Sequence, residues 1–183
     1  MADVTAGPPT DAALVQIVDA TMAQAIRKSG SWLACRPGCT PCCHGPFTIT
    51  ELDARRLRSG LADLAWSDPS RAAQVQARVV HALGQTEPDH DDPCPVLDPV
   101  HGTCDLYPAR PLICRTFGPP VRFADGSVAV CELCFVGASD AEIAACEVTV
   151  DPNGVEGELL ARLGNPPETS VAAALAFKTP APS

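Results

Sequence analysis

The sequence predicts a mostly α-helical chain with one short β-hairpin, a small irregular domain organised by a cysteine-rich metal site. Three observations carry that expectation. Several stretches repeat apolar residues at helical spacing between recognisable caps. One decapeptide, VRFADGSVAV, alternates on both sides of an Asp-Gly turn. Ten cysteines and nineteen prolines sit mostly outside those helices, so a loop-rich region needs a staple besides an apolar core.

The first helix is expected over residues 11–28. Thr10 or Asp11 caps it, Leu14, Val15, Val18, Met22 and Ile26 form its apolar stripe, and Gly30 stops it. Residues 1–10 are expected to be a disordered N-terminus. Phe47 to Thr50 read as an extended lead-in. Thr50 then caps ELDARRLRSGLADLA, with Asp53 at the capping-box position and Leu52, Leu57, Leu61 and Leu64 on the apolar face. Asp68-Pro69-Ser70 opens a third helix to about Leu83, with Val75, Val79 and Leu83 four apart.

Residues 85–120 carry eight prolines and are expected to be irregular. A loop of that length needs an organiser, and Cys94, Cys104 and Cys114 lie inside it. The hairpin follows at 121–130, then a short helix from about Ser139 to Glu147 and another over VEGELLARL. The expected layout is a single cysteine-cluster metal-binding domain over 11–163, then a flexible C-terminal tail over 164–183 with an Ala-rich, weakly helical piece.

Lys plus Arg number 13 against 22 Asp plus Glu, a net charge of -9. An acidic chain lacks the basic face that nucleic acid or an anionic membrane requires, so neither is an expected partner. No apolar run approaches membrane-spanning length. The opening MADVTAGPPTDAALVQIVDA lacks the basic start and unbroken apolar run of a secretory signal. A cytoplasmic location is therefore expected, where thiols stay reduced and clustered cysteines more often bind metal than pair as disulfides.

Thiolates are soft donors, and four satisfy a tetrahedral zinc ion or a cubane iron–sulfur cluster. The chain has Cys35-x3-Cys39, Cys39-x2-Cys42 and Cys131-x2-Cys134. Either C-x-x-C alone also fits a redox dithiol, but no βαβ pattern surrounds them. With Cys94, Cys104 and Cys114 in the loop, a metal ion becomes the expected partner. The expected ligands are Cys35, Cys39, Cys42, Cys43, Cys94, Cys104, Cys114, Cys131 and Cys134, in one site or two. Adjacent Cys42 and Cys43 would point opposite ways on an extended backbone, so they are not expected to share an ion. Cys146, among Ala and Ile on a helix, reads as a small buried apolar side chain.

Arg36, Arg110 and Arg115 each lie within four residues of a cysteine. A thiolate-ligated centre carries net negative charge, which a guanidinium offsets. Arg110 and Arg115 bracket PLIC in an apolar setting and are expected at the cofactor site; Arg36 reads equally as a surface charge. His44 and His101 adjoin cysteines but compete with abundant thiols, and His81 and His90 read as solvated. No Gly-rich phosphate loop, serine-nucleophile motif or paired catalytic carboxylate stands out, so no catalytic residue is assigned.

CRPGCTPCC, FTITELDARRL and CPVLDPVHGTCDLYPARPLICRTF together resemble the YkgJ-type cysteine-cluster family, described as zinc- or iron-chelating domains. Cys35, Cys39, Cys42 and Cys43 match the family's opening. Cys94, Pro95 and Leu97 match its second element, Gly102, Cys104 and Tyr107 its third, and Arg110, Pro111, Cys114 and Arg115 its fourth. Cys131 or Cys134 matches a terminal cysteine. The spacer between Cys35 and Cys39 is one residue longer than in the family pattern. The resemblance covers about residues 35–134 and implies a zinc or iron–sulfur centre without fixing a reaction. Some larger members resemble flagellin lysine N-methylases, so two functions are carried forward. One is a metal-binding protein whose ion organises a surface for a protein partner. The other is an iron–sulfur-dependent enzyme related to protein lysine N-methylases. Cys35-x3-Cys39-x2-Cys42 also equals the spacing of radical S-adenosylmethionine enzymes, but the barrel of alternating strands and helices those enzymes need is not predicted.

Overall fold

The computed structural model describes residues 8–85, 89–123 and 126–176. Its elements run α1 (Asp11–Ser29), β1 (Thr48–Ile49), α2 (Glu51–Ser67), α3 (Pro69–Leu83), β2 (Leu97–Asp98), β3 (Thr103–Cys104), α4 (Leu112–Arg115), β4 (Val121–Arg122), β5 (Val128–Ala129), α5 (Asp140–Cys146), β6 (Val148–Thr149), α6 (Val155–Arg162), β7 (Thr169–Ser170) and α7 (Val171–Ala176). Helix dominates, as the sequence predicts, and among the described residues the strands form two two-stranded sheets and one three-stranded sheet rather than a single hairpin. Among the described residues no helix is long and apolar enough to cross a membrane. The chain divides into two compact units, one of residues Met1–Cys35 with Arg115–Asn165, the other of Arg36–Cys114 with Pro166–Ser183.

In the first unit α1 forms because Thr10 accepts a hydrogen bond from the Ala13 N–H and Gly30 closes the far end at φ +50°. Leu14, Val18, Met22 and Ala25 are buried while Ile26 is half-exposed, so the stripe ends through Ala25 rather than the expected Ile26. The apolar stripe of α1 packs against α5, α6 and β6. The predicted hairpin is present as β4 and β5, with Val121 opposite Ala129 and Arg122 opposite Val128. Asp125 of its expected turn lies outside the described residues. β4 also takes β6 as a parallel neighbour, a pairing too distant in sequence for local signals to disclose. Cys146 is buried, as expected, with its thiol donating weakly to the Lys28 carbonyl at 3.5 Å.

In the second unit α2, α3 and α7 pack together around Leu57, Val75, Val79 and Ala174. Thr50 and Asp53 form the expected capping box of α2. Asp68 ends α2 and caps α3, accepting from the Arg71 N–H at 3.0 Å. Within the stretch expected as a flexible tail, residues 169–176 are packed. β7 pairs antiparallel with β1, and Val171, Ala174 and Leu175 form one apolar face buried against α2 and α3. The small side chains that read as a weak isolated helix suit a close tertiary seat instead. Residues 1–7 of the expected disordered N-terminus and 177–183 of the tail lie outside the described residues.

From residue 89 to 120 the proline-rich stretch is irregular but ordered. β2 pairs with β3, Leu97 opposite Cys104. A 3-10 turn, Tyr107–Ala109, sits against α2 so closely that a Cβ on Gly60 would stand 2.5 Å from the Ala109 Cβ. Two arginines of α3 hold this stretch. Arg71 and Arg78 both donate to Asp105, whose carboxylate is almost wholly buried, and Arg78 Nε also donates to the Pro95 carbonyl at 2.9 Å.

Candidate metal centre

None of the ten cysteines is paired in a disulfide. Six belong to the second unit: Cys39, Cys42, Cys43, Cys94, Cys104 and Cys114. Four belong to the first: Cys35, Cys131, Cys134 and Cys146.

In the second unit Pro37, Gly38 and Pro41 break the backbone into tight turns. Cys39 follows a turn closed by its N–H on the Arg36 carbonyl at 3.0 Å. Cys42 and Cys43 share a 3-10 turn, Pro41–Cys43, with the Cys43 N–H on the Thr40 carbonyl at 2.7 Å. That geometry corrects the expectation of opposed sulfurs. The backbone is not extended there, so the two side chains are not set on opposite faces of a strand. Interaction with the neighbouring Cys43 raises the Cys42 thiol, with burial adding to it, and the same neighbour interaction lowers Cys43.

The loop thiols meet this turn through backbone pairing. The Cys94 N–H donates to the Cys43 carbonyl at 2.7 Å, His44 bridges Pro93, and the Gly45 N–H donates to the Asp92 carbonyl at 2.9 Å. Cys104 rides on β3, whose preceding turn brings Gly102 near the Gly38 backbone; a Cβ there would lie 3.2 Å from the Gly38 Cα. At φ +64°, Gly102 also favours glycine. Cys114 is placed by α4, whose first residue Leu112 donates its N–H to Asp53 Oδ1 at 2.9 Å.

These placements bring Cys42, Cys43, Cys94, Cys104 and Cys114 within electrostatic reach of one another. Negative charge on Cys94, Cys104 and Cys114 opposes ionisation of Cys43, and charge on Cys94, Cys104 and Cys42 opposes that of Cys114. Burial is the larger cause for the loop thiols. It pushes Cys94 up to about 11 and Cys114 to about 12, and raises Cys104. Arg78 and Arg71 counter this modestly at Cys94 and Cys104 respectively, and Arg110 does so at Cys104.

Arg110 stands 4.0 Å over the Tyr107 ring and donates to the Tyr107 carbonyl at 3.0 Å. Arg115 lies in the first unit, nearly buried, donating to both Asp19 oxygens at 2.9 and 2.8 Å. Arg36 is exposed. His44 Nδ1 donates to the Thr40 carbonyl at 3.0 Å. His101 Nδ1 bonds Asp98 at 2.6 Å, which draws that carboxyl down to about 2. His81 and His90 are exposed. A cavity of about 360 Å³ in the second unit is lined by Phe47, Arg78, His81, Cys94, Pro95 and Leu97, among others.

In the first unit Cys35 Sγ stands 3.9 Å from Cys134 Sγ. The Cys134 N–H donates to the Cys131 carbonyl at 2.8 Å, and the Ala34 N–H donates to Cys134 Sγ at 3.4 Å. The Cys131 thiol is raised, first by desolvation and also by the neighbouring Cys134.

Asp53, Arg71 and Arg78 are residues that proximity in sequence to a cysteine does not find, and Asp105, although it follows Cys104, gives no local sign of its two arginine partners. The available signal was spacing: arginines seven apart share a face of α3. Among the described residues no three His, Cys, Asp or Glu side chains already stand as a set that could hold an ion. The donor set itself fits zinc or iron, since sulfur from separate segments is what both take from proteins.

Soft donors gathered by turns, a two-stranded pairing and a short helix define a cysteine-clustered chelating protein. The chain belongs to the CxxCxxCC family, a putative zinc- or iron-chelating domain by its description, whose pattern matches residues 34–134, more than half the chain. No curated protein and no solved structure matches it.

Proposed function

We propose that the protein holds zinc or an iron–sulfur centre through thiols of the second unit. The ligands are drawn from Cys42, Cys43, Cys94, Cys104 and Cys114, with Cys39 on the adjoining turn. Cys35, Cys131 and Cys134 are the corresponding thiols of the first unit. The observation that carries this reading is the junction of the cysteine turn with the loop, where the Cys94 N–H donates to the Cys43 carbonyl at 2.7 Å, together with the charge on Cys94, Cys104 and Cys114 that opposes ionisation of Cys43. Buried thiols that oppose each other's ionisation become favourable thiolates when a cation supplies the missing positive charge. Arg110 beside Cys104 offsets the remaining negative charge, whereas Arg115 supports the first unit through Asp19. In this role the metal organises the proline-rich surface for a protein partner, and the cytoplasm, which keeps thiols reduced, is its compartment.

A second reading rests on the cavity that reaches Cys94. An iron–sulfur-dependent enzyme related to protein lysine N-methylases needs room for a substrate beside its thiolates, and the cavity supplies it.

Elemental analysis and visible absorbance of protein purified without oxygen test the proposal. Colourless protein with stoichiometric zinc supports the organising role. Brown protein with iron and sulfide supports an iron–sulfur centre and keeps the enzyme reading. Protein that acquires neither metal, even after reduction and reconstitution, overturns both.

A further inference from the structure

The first unit has its own sulfur geometry, and it bears on nuclearity. A disulfide needs its sulfurs at about 2.05 Å. In a cubane each thiolate ligates a different iron, which sets the sulfurs farther apart than two that share one ion. Around a single tetrahedral zinc, with Zn–S near 2.3 Å, two sulfurs stand about 3.8 Å apart. Cys35 and Cys134 stand at 3.9 Å in a thiol–thiol contact, a separation that two sulfurs could keep on one shared ion.

Three further features surround that pair. The Ala34 N–H donates to Cys134 Sγ at 3.4 Å, the kind of hydrogen bond that orients a thiolate ligand. Gly118, at φ +111°, leaves room for Cys35, since a Cβ there would lie 3.0 Å from the Cys35 sulfur. Its carbonyl also accepts the Cys131 N–H at 3.3 Å, which holds the third cysteine beside the same backbone. The Phe135 N–H donates to the Trp32 carbonyl at 2.9 Å, and the two rings stack with centroids 6.0 Å apart. This pins residues 32–35 to residues 131–135 and shields Cys134.

We infer that Cys35, Cys131 and Cys134 form a separate mononuclear site for a thiophilic divalent cation, zinc by its spacing, within the first unit. The inference rests on the reading that the clustered thiols bind metal, and deepens it by assigning one set to a single ion. Cys35 and Cys134 supply a pre-spaced edge, and Cys131 completes the set by rotating inward. Three thiolates leave the fourth tetrahedral position to an exogenous donor. Cys146 stays out, its thiol directed at the Lys28 carbonyl.

The test uses reduced full-length chain and Co²⁺ alone as the probe, followed by Zn²⁺ displacement. Cobalt in a tetrahedral thiolate site gives intense sulfur-to-metal charge transfer and visible ligand-field bands. A C104S/C114S variant, which depletes the second unit's set, is expected to keep one equivalent of cobalt with that spectrum. Adding C131S is expected to abolish it. In the otherwise unaltered chain, C35S and C131S each lose one equivalent and leave the rest of the spectrum unchanged. Both side chains lie at least partly open to solvent, so these two variants keep the test valid even if C104S/C114S does not fold.

Cobalt binding that survives both C35S and C131S overturns the site. Loss of all cobalt in a folded C104S/C114S chain does the same, since the first unit then binds nothing by itself. Equal cobalt binding by the unaltered chain and C104S/C114S instead counts against the second-unit reading and leaves this one standing.

Discussion

Replacing Asp53 by alanine is expected to lower stability by about 3–5 kcal/mol, the usual cost of removing one partner from a buried ion pair. Asp53 is nearly buried and serves three masters. It accepts from the Thr50 backbone and hydroxyl at 3.3 and 3.2 Å, completing the cap of α2. It pairs with Arg56, which is itself largely buried. It also accepts the Leu112 N–H at 2.9 Å, which sets the start of α4 and hence Cys114. Alanine leaves a buried guanidinium and an orphaned N–H behind. Asparagine keeps an acceptor and is expected to cost less. Urea unfolding checks the stability change, and metal affinity measured on the same variants is expected to fall with it, because Cys114 loses its anchor.

Metal removal is the second large effect. A ligand held at a thousand times its dissociation constant stabilises a fold by about 4 kcal/mol. At about 2–4 °C per kcal/mol for a chain of this size, chelation is expected to lower the unfolding midpoint by roughly 8–16 °C. The two forms are also expected to respond oppositely to pH. Burial raises Cys94 and Cys114 to about 11 and about 12, so the metal-free fold holds those protons more tightly than the unfolded chain. Their contribution is fully present below the ordinary thiol value near 9 and is lost as pH rises from there through about 12. With metal bound the same sulfurs are thiolates, and protons compete with the ion instead. The loaded protein is therefore expected to weaken towards acid, and the metal-free protein towards alkali. Thermal unfolding against pH, with and without chelator, separates the two.

The helices were legible because their signals are local. Thr50 and Asp53, or Asp68 before Pro69, mark a boundary within four residues, and the valines of α3 repeat within one face. The hairpin of β4 and β5 was legible for the same reason. The pairing of β1 with β7 and of β4 with β6 was not, since each joins segments whose match depends on the finished packing. α7 illustrates the limit well: an Ala-rich piece has little to show in isolation, yet its small side chains are what allow it to seat between α2 and α3.

The cysteine set was legible as chemistry but not as geometry. Spacing pointed to the thiols, while their division between two units depends on which segments the core brings together. The Cys42–Cys43 turn was misjudged because an extended backbone was assumed where Pro41 starts a 3-10 turn. Organisation of the proline-rich stretch was credited to sulfur alone. The buried Asp105 between Arg71 and Arg78 shares that task, and nothing near Asp105 in sequence announces two partners from α3.

X-ray absorption at the zinc or iron edge, on protein purified without oxygen and on its C43S and C114S variants, tests the convergence of distant thiols most directly. The expected result is a sulfur-dominated first shell, at about 2.3 Å if the metal is zinc, that loses sulfur in each variant. A shell of oxygen and nitrogen, or one that neither substitution alters, would contradict it.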